Sequence, residues 1–459
     1  MKVEFETKDN NPISGQWLLV FSILLGITLW VKDGTASGPG QMDLPRILLL
    51  LTTGIGTVSA FRWKTSGSES TALRIIIGVL LVLSGALTLA RPPGYDVRIS
   101  GIEDYQNWMV LRGMATGLFL AAFFAREKAR RLVLFIGLCF LAGSLFWTIS
   151  HARNSTIDVV HVFQIATKQI ESGVNPYACE MPSFYSNDSP LTHKDKATGT
   201  PLTFGFVYPL GALFFGAIGE YFLSDYRFLF SFLFVAGLIT LVITRSFQEE
   251  LTFLFPIFLY PRIELIFERG WVDGLSASIV IFSTSALAWS LLASAALFSV
   301  FLATKPYFLL FWPYPLICCL NKKLHKRPQL LFVLIVAPFL FYALPALDAP
   351  GRYFWSIFFI NFKLLPRLDS LSFYPFWSFL GGLLCFLLWA AGAIGFASAT
   401  KRQSLQQFGF LLLVWILFGI FLFSKIAFMN YYFCVIFLIS LFMCFCESYA
   451  SGGLKFPDK

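Results

Sequence analysis

The sequence contains few charged residues. Asp, Glu, Lys and Arg make up 13% of its 459 residues, whereas a soluble domain carries about 25%. Hydrophobic residues reach 57%, and Phe alone occurs 53 times. Because a charge is costly in lipid, such a chain is expected to expose most of its surface to a bilayer. The composition excludes the soluble globular, collagen-like, coiled-coil and disordered classes.

The pattern of cysteines excludes a disulfide framework and a zinc site. Seven of the eight cysteines lie in or beside apolar segments, and only Cys179 lies in a polar loop. One such cysteine cannot build a disulfide framework, and no Cys/His spacing matches a zinc site. The acids expected on the outer side also lack the spacing of metal ligands. We therefore expect neither a metal nor another cofactor.

Apolar segments long enough to cross a bilayer recur along the chain. A crossing helix needs about 20 apolar residues, and counting such segments predicts an all-α polytopic membrane protein with about 14 (12–14) transmembrane helices. The first segment, Gln16–Val31, has no cleavage site after it and is expected to be retained. A change in composition near Arg126–Arg131 predicts two parts: an N-terminal four-helix appendage at residues 1–131 and a catalytic core at residues 132–459.

Lys and Arg in short loops predict the orientation of the chain. The clusters at Arg126–Arg131, Asn321–Arg327 and Lys401–Arg402 fall on one side if both termini are cytoplasmic. The whole net charge of +9 then lies at the inner membrane face, which argues against a nucleic-acid partner. We expect a multi-pass protein of the bacterial plasma (inner) membrane, with the endoplasmic reticulum as the other possibility.

The longest polar interruption, Ile149–Tyr208, is expected on the outer side as a large external loop at residues 151–203. The segment Val159–Gly173 has one apolar face and predicts a short amphipathic helix that ends at Gly173. Asp158 precedes it at an apolar interface, where a carboxylate could act as a general base or could cap the helix. His161, three residues later, could share the face of Asp158 or have no role.

Two other interruptions on the outer side carry unusual residues. Leu251–Tyr260 is apolar but too short to span, and it contains prolines, which predicts a re-entrant or interfacial segment. Lys305 lies in the apolar turn Ala303–Tyr307, where an ammonium group is costly without an anionic partner. A side chain that extends to the membrane surface is the alternative for Lys305.

The external loop resembles the first external loop of the GT-C membrane glycosyltransferases. The shared features are Asp158 just outside a helix, the amphipathic segment, G-V-N-P-Y at Gly173–Tyr177 and Y-P at Tyr208-Pro209. They are most similar to the bacterial mannosyltransferase-like branch that uses polyprenyl-phosphate sugars. The chain departs from this pattern in the four helices that precede the acid and in a longer loop with a single Tyr-Pro.

Three later motifs extend the resemblance over roughly residues 132–447. They are R-G-W-V-D-G at Arg269–Gly274, A-T-K-P-Y at Ala303–Tyr307 and F-M-N-Y-Y at Phe428–Tyr432. The resemblance implies an inverting glycosyltransferase that moves a hexose, with mannose favoured, from a polyprenyl-phosphate carrier to an acceptor hydroxyl on the non-cytoplasmic face. The acceptor would be a glycan, a glycolipid or a protein.

The resemblance also implies roles for individual residues. Asp158 would be the general base, and Lys305, Arg269 and Arg262 would bind the donor phosphate. The residues expected to contact the sugar or the acceptor are His161, Asn175, Tyr177, Tyr208, Asp273 and Tyr431. Asp273 could instead pair with Arg269, and the tyrosines could belong to an aromatic belt at the membrane surface.

Two other classes of function stay open. A polytopic transporter or lipid flippase typically has acids at the membrane midplane and paired repeats, and the sequence shows neither. No feature of the sequence directly indicates a structural or assembly protein of a membrane complex. The sequence therefore favours the transferase.

Overall fold

The structure is a computed structural model in which most of the chain is described. The described residues are 16–32, 43–61, 71–91, 93–94, 97, 102–152, 157–182, 184, 192, 194–195, 197–244, 251–286, 290–314, 328–360, 370–373, 380–402, 405–424 and 429–450. They form helices and no strand. One isolated antiparallel bridge joins Lys194 and Pro201 in the external loop. The prediction of an all-α protein is confirmed for this part of the chain.

The helices are numbered here in chain order. The first eight are α1 Gln16–Lys32, α2 Leu44–Phe61, α3 Thr71–Leu89, α4 Ile102–Phe124, α5 Glu127–His151, α6 Asp158–Glu171, α7 Leu210–Leu223 and α8 Tyr226–Thr244. The others are α9 Phe255–Phe258, α10 Ile263–Glu268, α11 Val272–Ala286, α12 Leu291–Leu302, α13 Pro328–Ala346, α14 Pro350–Phe354, α15 Leu380–Arg402, α16 Leu405–Phe423 and α17 Met429–Ala450. A 3₁₀ helix, Pro306–Phe311, follows α12, and a π-helical turn, Trp355–Phe359, follows α14.

Several helices are long and apolar enough to cross a membrane, and they make the chain a multi-pass membrane protein. Six meet this criterion among the described residues: Leu44–Phe61, Ala72–Leu89, Glu103–Phe124, Ala129–His151, Tyr226–Thr244 and Gly381–Ala399. A seventh span results if the pair Phe332–Ala346 and Pro350–Phe359, bent by 118°, is counted as one. Six shorter apolar helices accompany them. The expected number of about 14 spans is not confirmed: the described residues give six candidates, or seven with the bent pair.

The four N-terminal helices pack against the rest of the protein. Helix α1 contacts α17 and α9, α2 contacts α15, and α4 contacts α5. Buried apolar side chains of these helices belong to the same hydrophobic core as those of the later helices. The division at residue 131 stays a prediction, while these contacts join both parts into one helical body.

The segment predicted to be re-entrant or interfacial lies inside this body. This segment, Leu251–Tyr260, contains the short helix α9, and α10 follows it; the residues of both helices are buried. Carbonyl groups between the two helices receive hydrogen bonds from side chains: Ser84 donates to Leu259 O at 2.7 Å, and Arg112 donates to Tyr260 O at 3.3 Å. Polar side chains of α3 and α4 thus donate hydrogen bonds to backbone carbonyl groups that would stay unpaired in lipid.

A buried ion pair also anchors α10 to the N-terminal helices. Arg112 Nε lies 2.9 Å from Glu264 Oε1, and both side chains are almost completely buried. Ser144 of α5 donates a second hydrogen bond to the same carboxylate oxygen at 2.9 Å. Because breaking a buried pair leaves an uncompensated charge, these contacts fix α10 in position.

Candidate functional site

The centre of the candidate site is the carboxylate of Asp273 in the first turn of α11. The side chain has no exposed area, and it accepts hydrogen bonds from four side chains. The donors are Lys305 Nζ to Oδ2 at 2.5 Å, Asn430 Nδ2 to Oδ2 at 2.6 Å, Tyr307 OH to Oδ1 at 2.7 Å and Cys434 Sγ to Oδ1 at 2.9 Å. We call Asp273 and these four residues the Asp273 cluster. It joins the beginnings of α11 and α17 to the turn after α12.

Lys305 supplies the positive charge of the cluster. Its side chain is 5% exposed, and its Nζ lies 5.3 Å from the ring centre of Tyr307 and 5.1 Å from that of Tyr431. Two ring faces and a carboxylate therefore surround the ammonium group. The sequence predicted an anionic partner for Lys305 and left the partner of Asp273 open between sugar hydroxyls and Arg269. In the structure the two residues pair with each other.

The predicted base, Asp158, lies at the first position of α6 and is half-buried. The preceding residue, Ile157, occupies the N-cap position, so the expected alternative of Asp158 as the cap does not describe this helix. The positive end of the helix dipole favours a carboxylate at that position. The predicted amphipathic helix is confirmed: Val162, Phe163 and others form its buried face, and Gly173 follows it with φ +72°.

Tyr208 interacts electrostatically with both Asp158 and the Asp273 cluster. Its ring is partly exposed and stacks on Phe163 of α6 at 5.3 Å between ring centres. Its hydroxyl is close enough to Asp158, Tyr431 and Asp273 for electrostatic interaction with each of them. Burial, and to a smaller extent the charge of Asp158, raises the pKa of Tyr208 well above its usual value. Tyr208 therefore stays a neutral hydrogen-bonding group.

Three predicted contact residues of the external loop have protein partners. His161 stacks on Phe184 at 5.5 Å. Asn175 donates to Asp348 Oδ2 at 3.0 Å and accepts from the backbone N–H of Tyr177 at 3.0 Å. The buried Tyr177 donates to Tyr208 O at 2.9 Å. These contacts hold the loop in shape, and a sugar-binding role for the three residues stays a prediction.

Further contacts attach the loop to the bent segment that follows α13. Arg352 donates to Ala178 O at 2.8 Å, and Ser356 Oγ accepts from Gly205 N at 2.7 Å. The backbone N–H of Gly211, at the start of α7, donates to Ala303 O at 3.0 Å, directly before the Lys305 turn. The external loop, the Lys305 turn and the segment around Asp348 thus contact one another, and their expected location on the outer side of the membrane stays a prediction.

The two predicted arginines flank α10. Arg262 precedes this helix and is 5% exposed, whereas Arg269 follows it and is partly exposed. Both belong to the segment that leads into Asp273. Their assignment as phosphate ligands stays a prediction.

Sequence analysis did not select three members of the Asp273 cluster. Tyr307 and Asn430 belong to the A-T-K-P-Y and F-M-N-Y-Y motifs, so the motifs themselves pointed to them. Cys434 follows Asn430 by one helical turn, which places both on one face of α17. A lone cysteine in an apolar helix gives no sequence signal beyond packing.

The arrangement combines a half-buried acid with a buried cation beside aromatic rings. Among the described residues, no group of three or more His, Cys, Asp or Glu side chains could hold a metal ion. Comparison with protein-family models, curated proteins and solved structures found no match for this chain.

Proposed function

We propose that the protein is an inverting glycosyltransferase that uses a polyprenyl-phosphate hexose, with mannose favoured, and acts on the non-cytoplasmic face of the membrane. The observation that carries the proposal is that the segment Tyr208–Gly211 contacts both the helix that begins at Asp158 and the turn that holds Lys305. Tyr208 stacks on Phe163 of α6 at 5.3 Å between ring centres, and the backbone N–H of Gly211 donates to Ala303 O at 3.0 Å. A candidate base and a candidate phosphate-binding cation, far apart in sequence, therefore border one region.

The chemistry of Lys305 suits the leaving group of this reaction. An ammonium group has three N–H donors, and the Asp273 carboxylate uses one of them. Among the described residues no other acceptor binds this ammonium group, so the remaining donors could bind an anion near the rings of Tyr307 and Tyr431. A fixed cation of this kind stabilises the charge that develops on a departing lipid phosphate. The buried site also strengthens this interaction relative to water.

The proposed step moves one proton and exchanges one bond. Asp158 accepts the proton of the acceptor hydroxyl while the hydroxyl oxygen attacks the anomeric carbon of the sugar. The bond between this carbon and the phosphate oxygen breaks, and the polyprenyl phosphate leaves with the electron pair. Attack opposite to the leaving group inverts the anomeric configuration. Lys305, with Arg262 and Arg269 as further candidates, would hold the phosphate.

The test compares two neutralised acids at the two ends of α6. Membranes containing the Asp158→Asn variant receive a radiolabelled polyprenyl-phosphate mannose, and transfer to endogenous acceptors is measured. We expect a loss of about a hundred- to ten-thousandfold, the usual contribution of a general base. Glu171→Gln, at the exposed end of the same helix, is the matched control and should retain full activity. Full activity of Asp158→Asn would overturn the assignment of the base.

A transporter or lipid flippase is the second candidate, and one observation favours it. The Lys305–Asp273 and Arg112–Glu264 pairs are both buried inside a protein of membrane-crossing helices. Buried ionisable residues of this kind often mark a transport pathway. Proteoliposomes with a fluorescent polyprenyl phosphate and no acceptor distinguish the two functions. Lipid movement across the bilayer that survives Asp158→Asn would support the flippase and contradict the transferase.

A further inference from the structure

Asn430 has an unsatisfied acceptor inside the Asp273 cluster. It is the second residue of α17, and its side chain is 3% exposed. Its Nδ2 donates to Asp273 Oδ2 at 2.6 Å, while its Oδ1 is buried and has no hydrogen-bond partner in the part of the chain that the structure describes. Buried side-chain oxygens in proteins nearly always have a donor. The unpaired acceptor therefore indicates a donor group that the described part of the chain does not supply.

The orientation of the Asn430 amide follows from its neighbours. Exchanging its oxygen and nitrogen would place Oδ1 against the carboxylate oxygen of Asp273, where two acceptors would repel each other. Amide orientation is assigned from the hydrogen-bond network, and this network allows one choice. The unpaired atom is therefore the oxygen, which can only accept a hydrogen bond.

The acceptor lies beside the cation of the site. Lys305 Nζ and Asn430 Nδ2 both bind Asp273 Oδ2, at 2.5 Å and 2.6 Å. The two side chains are therefore neighbours on one carboxylate oxygen. The rings of Tyr307 and Tyr431, which flank Lys305, are partly exposed, so the cluster borders accessible surface on that side. A ligand reaching it would meet a fixed positive charge and, next to it, a buried acceptor.

We propose that Asn430 is a substrate-binding residue whose Oδ1 accepts a hydrogen bond from the sugar hydroxyl nearest to the donor phosphate. The inference rests on the proposed function, because it takes Lys305 as the phosphate-binding cation. That hydroxyl is the one on the carbon next to the anomeric carbon, because this carbon is adjacent to the carbon that bears the phosphate. A site with a buried acceptor rejects a substrate that lacks the matching hydroxyl. The site would therefore discriminate between a sugar phosphate and its 2-deoxy analogue.

The experiment measures the binding of three short-chain lipids to the purified full-length protein in nanodiscs. The first, called the parent lipid, is polyprenyl phosphate that bears mannose or glucose, whichever binds more tightly. The second is its 2-deoxy analogue, which is the same compound for both sugars. The third is polyprenyl phosphate without a sugar. We expect wild type to bind the parent lipid about tenfold more tightly than the 2-deoxy analogue, as one hydrogen bond predicts. Asn430→Leu should bind the two equally, at the wild-type level for the analogue.

Ser440→Ala provides the matched control. It removes another buried oxygen of α17 that has no hydrogen-bond partner among the described residues, and it lies outside the Asp273 cluster. It should keep the tenfold discrimination. If Asn430→Leu does not fold, Asn430→Ala removes the same acceptor with less bulk. Equal binding of parent and analogue by wild type, or discrimination retained without Asn430, would overturn the inference. Failure of wild type to bind any of the three lipids would overturn the proposed function itself.

Discussion

The buried pair of Lys305 and Asp273 allows a quantitative test of the site's architecture. Lys305→Met removes the positive partner of the Asp273 carboxylate, whose side chain has no exposed area. Removing one member of a buried pair costs about 3–5 kcal/mol of unfolding free energy. We expect about 3 kcal/mol, the lower end, because polar groups in a membrane also find partners in the unfolded state.

Neutralising both residues should restore most of this stability. In the double variant Asp273→Asn/Lys305→Met no charge remains, and the amide at position 273 can still accept from Tyr307. Asn430 can reverse its own amide and accept from the new N–H group. The double variant should therefore lie within about 1 kcal/mol of wild type, since uncharged replacements of a buried pair are often nearly neutral.

The assay is unfolding by increasing SDS in mixed micelles, followed by tryptophan fluorescence. The four proteins of the cycle give the coupling free energy between the two positions, which we expect to be about 2 kcal/mol or more. A Lys305→Met variant that loses less than about 1 kcal/mol, a loss typical of surface pairs, would refute the buried pair. The buried pair would also be refuted if the losses of unfolding free energy in the two single variants simply added in the double variant.

Three further predictions concern the loop, a helix contact and pH. Asn175→Ala should lose about 1 kcal/mol and speed limited proteolysis of the external loop, because it removes the hydrogen bonds to Asp348 and from Tyr177 N–H. Asp348→Ala should lose less, and the double variant should match Asn175→Ala, because Asn175→Ala already removes the bond that the two residues share. Gly211→Ala should lower transfer, because its added methyl group would lie 2.6 Å from a carbonyl oxygen at the end of α12; Gly113→Ala, with no atom within 4 Å, is the control. The raised pKa of Tyr208 means that the folded state holds the phenol proton more tightly than the unfolded state, so the free energy of unfolding should fall as pH rises above 10.0. The test is SDS unfolding at pH 9 to 11, about one unit on either side of the ordinary tyrosine pKa. The free energy of unfolding of Tyr208→Phe should fall less over this range than that of wild type.

The membrane class and the helical nature of the chain were predictable from composition. Low charge and recurring apolar segments leave few alternatives in a bilayer. The number of spans was not predictable in the same way, since hydropathy does not tell a crossing helix from one buried in protein. Leu251–Tyr260 illustrates this: it is apolar, yet it contains the short buried helix α9, and the carbonyls of Leu259 and Tyr260 accept hydrogen bonds from Ser84 and Arg112.

Part of the candidate site was also predictable. An ammonium group in the apolar Ala303–Tyr307 turn requires compensation, so sequence indicated an anionic partner for Lys305. The identity of that partner depends on how α11 and the turn after α12 pack, which no local pattern encodes. The expected alternatives for Asp273, sugar hydroxyls or Arg269, therefore did not include Lys305. Cys434 gave no signal, because a thiol in an apolar helix is usually packing.

The sequence by itself determined what the chain can be: a multi-pass helical membrane protein with a polar loop that contains Asp158, and with Lys305 in an apolar turn where its charge is unfavourable without a partner. These features follow from transfer free energies, which depend on residue type and on its near neighbours in sequence. The tertiary structure alone decided which groups meet. It paired Lys305 with Asp273, left the Asn430 oxygen without a partner among the described residues and stacked Tyr208 on Phe163 of the helix that begins at Asp158. Contacts between residues 30 to 160 positions apart arise from helix packing, and packing is a property of the whole fold.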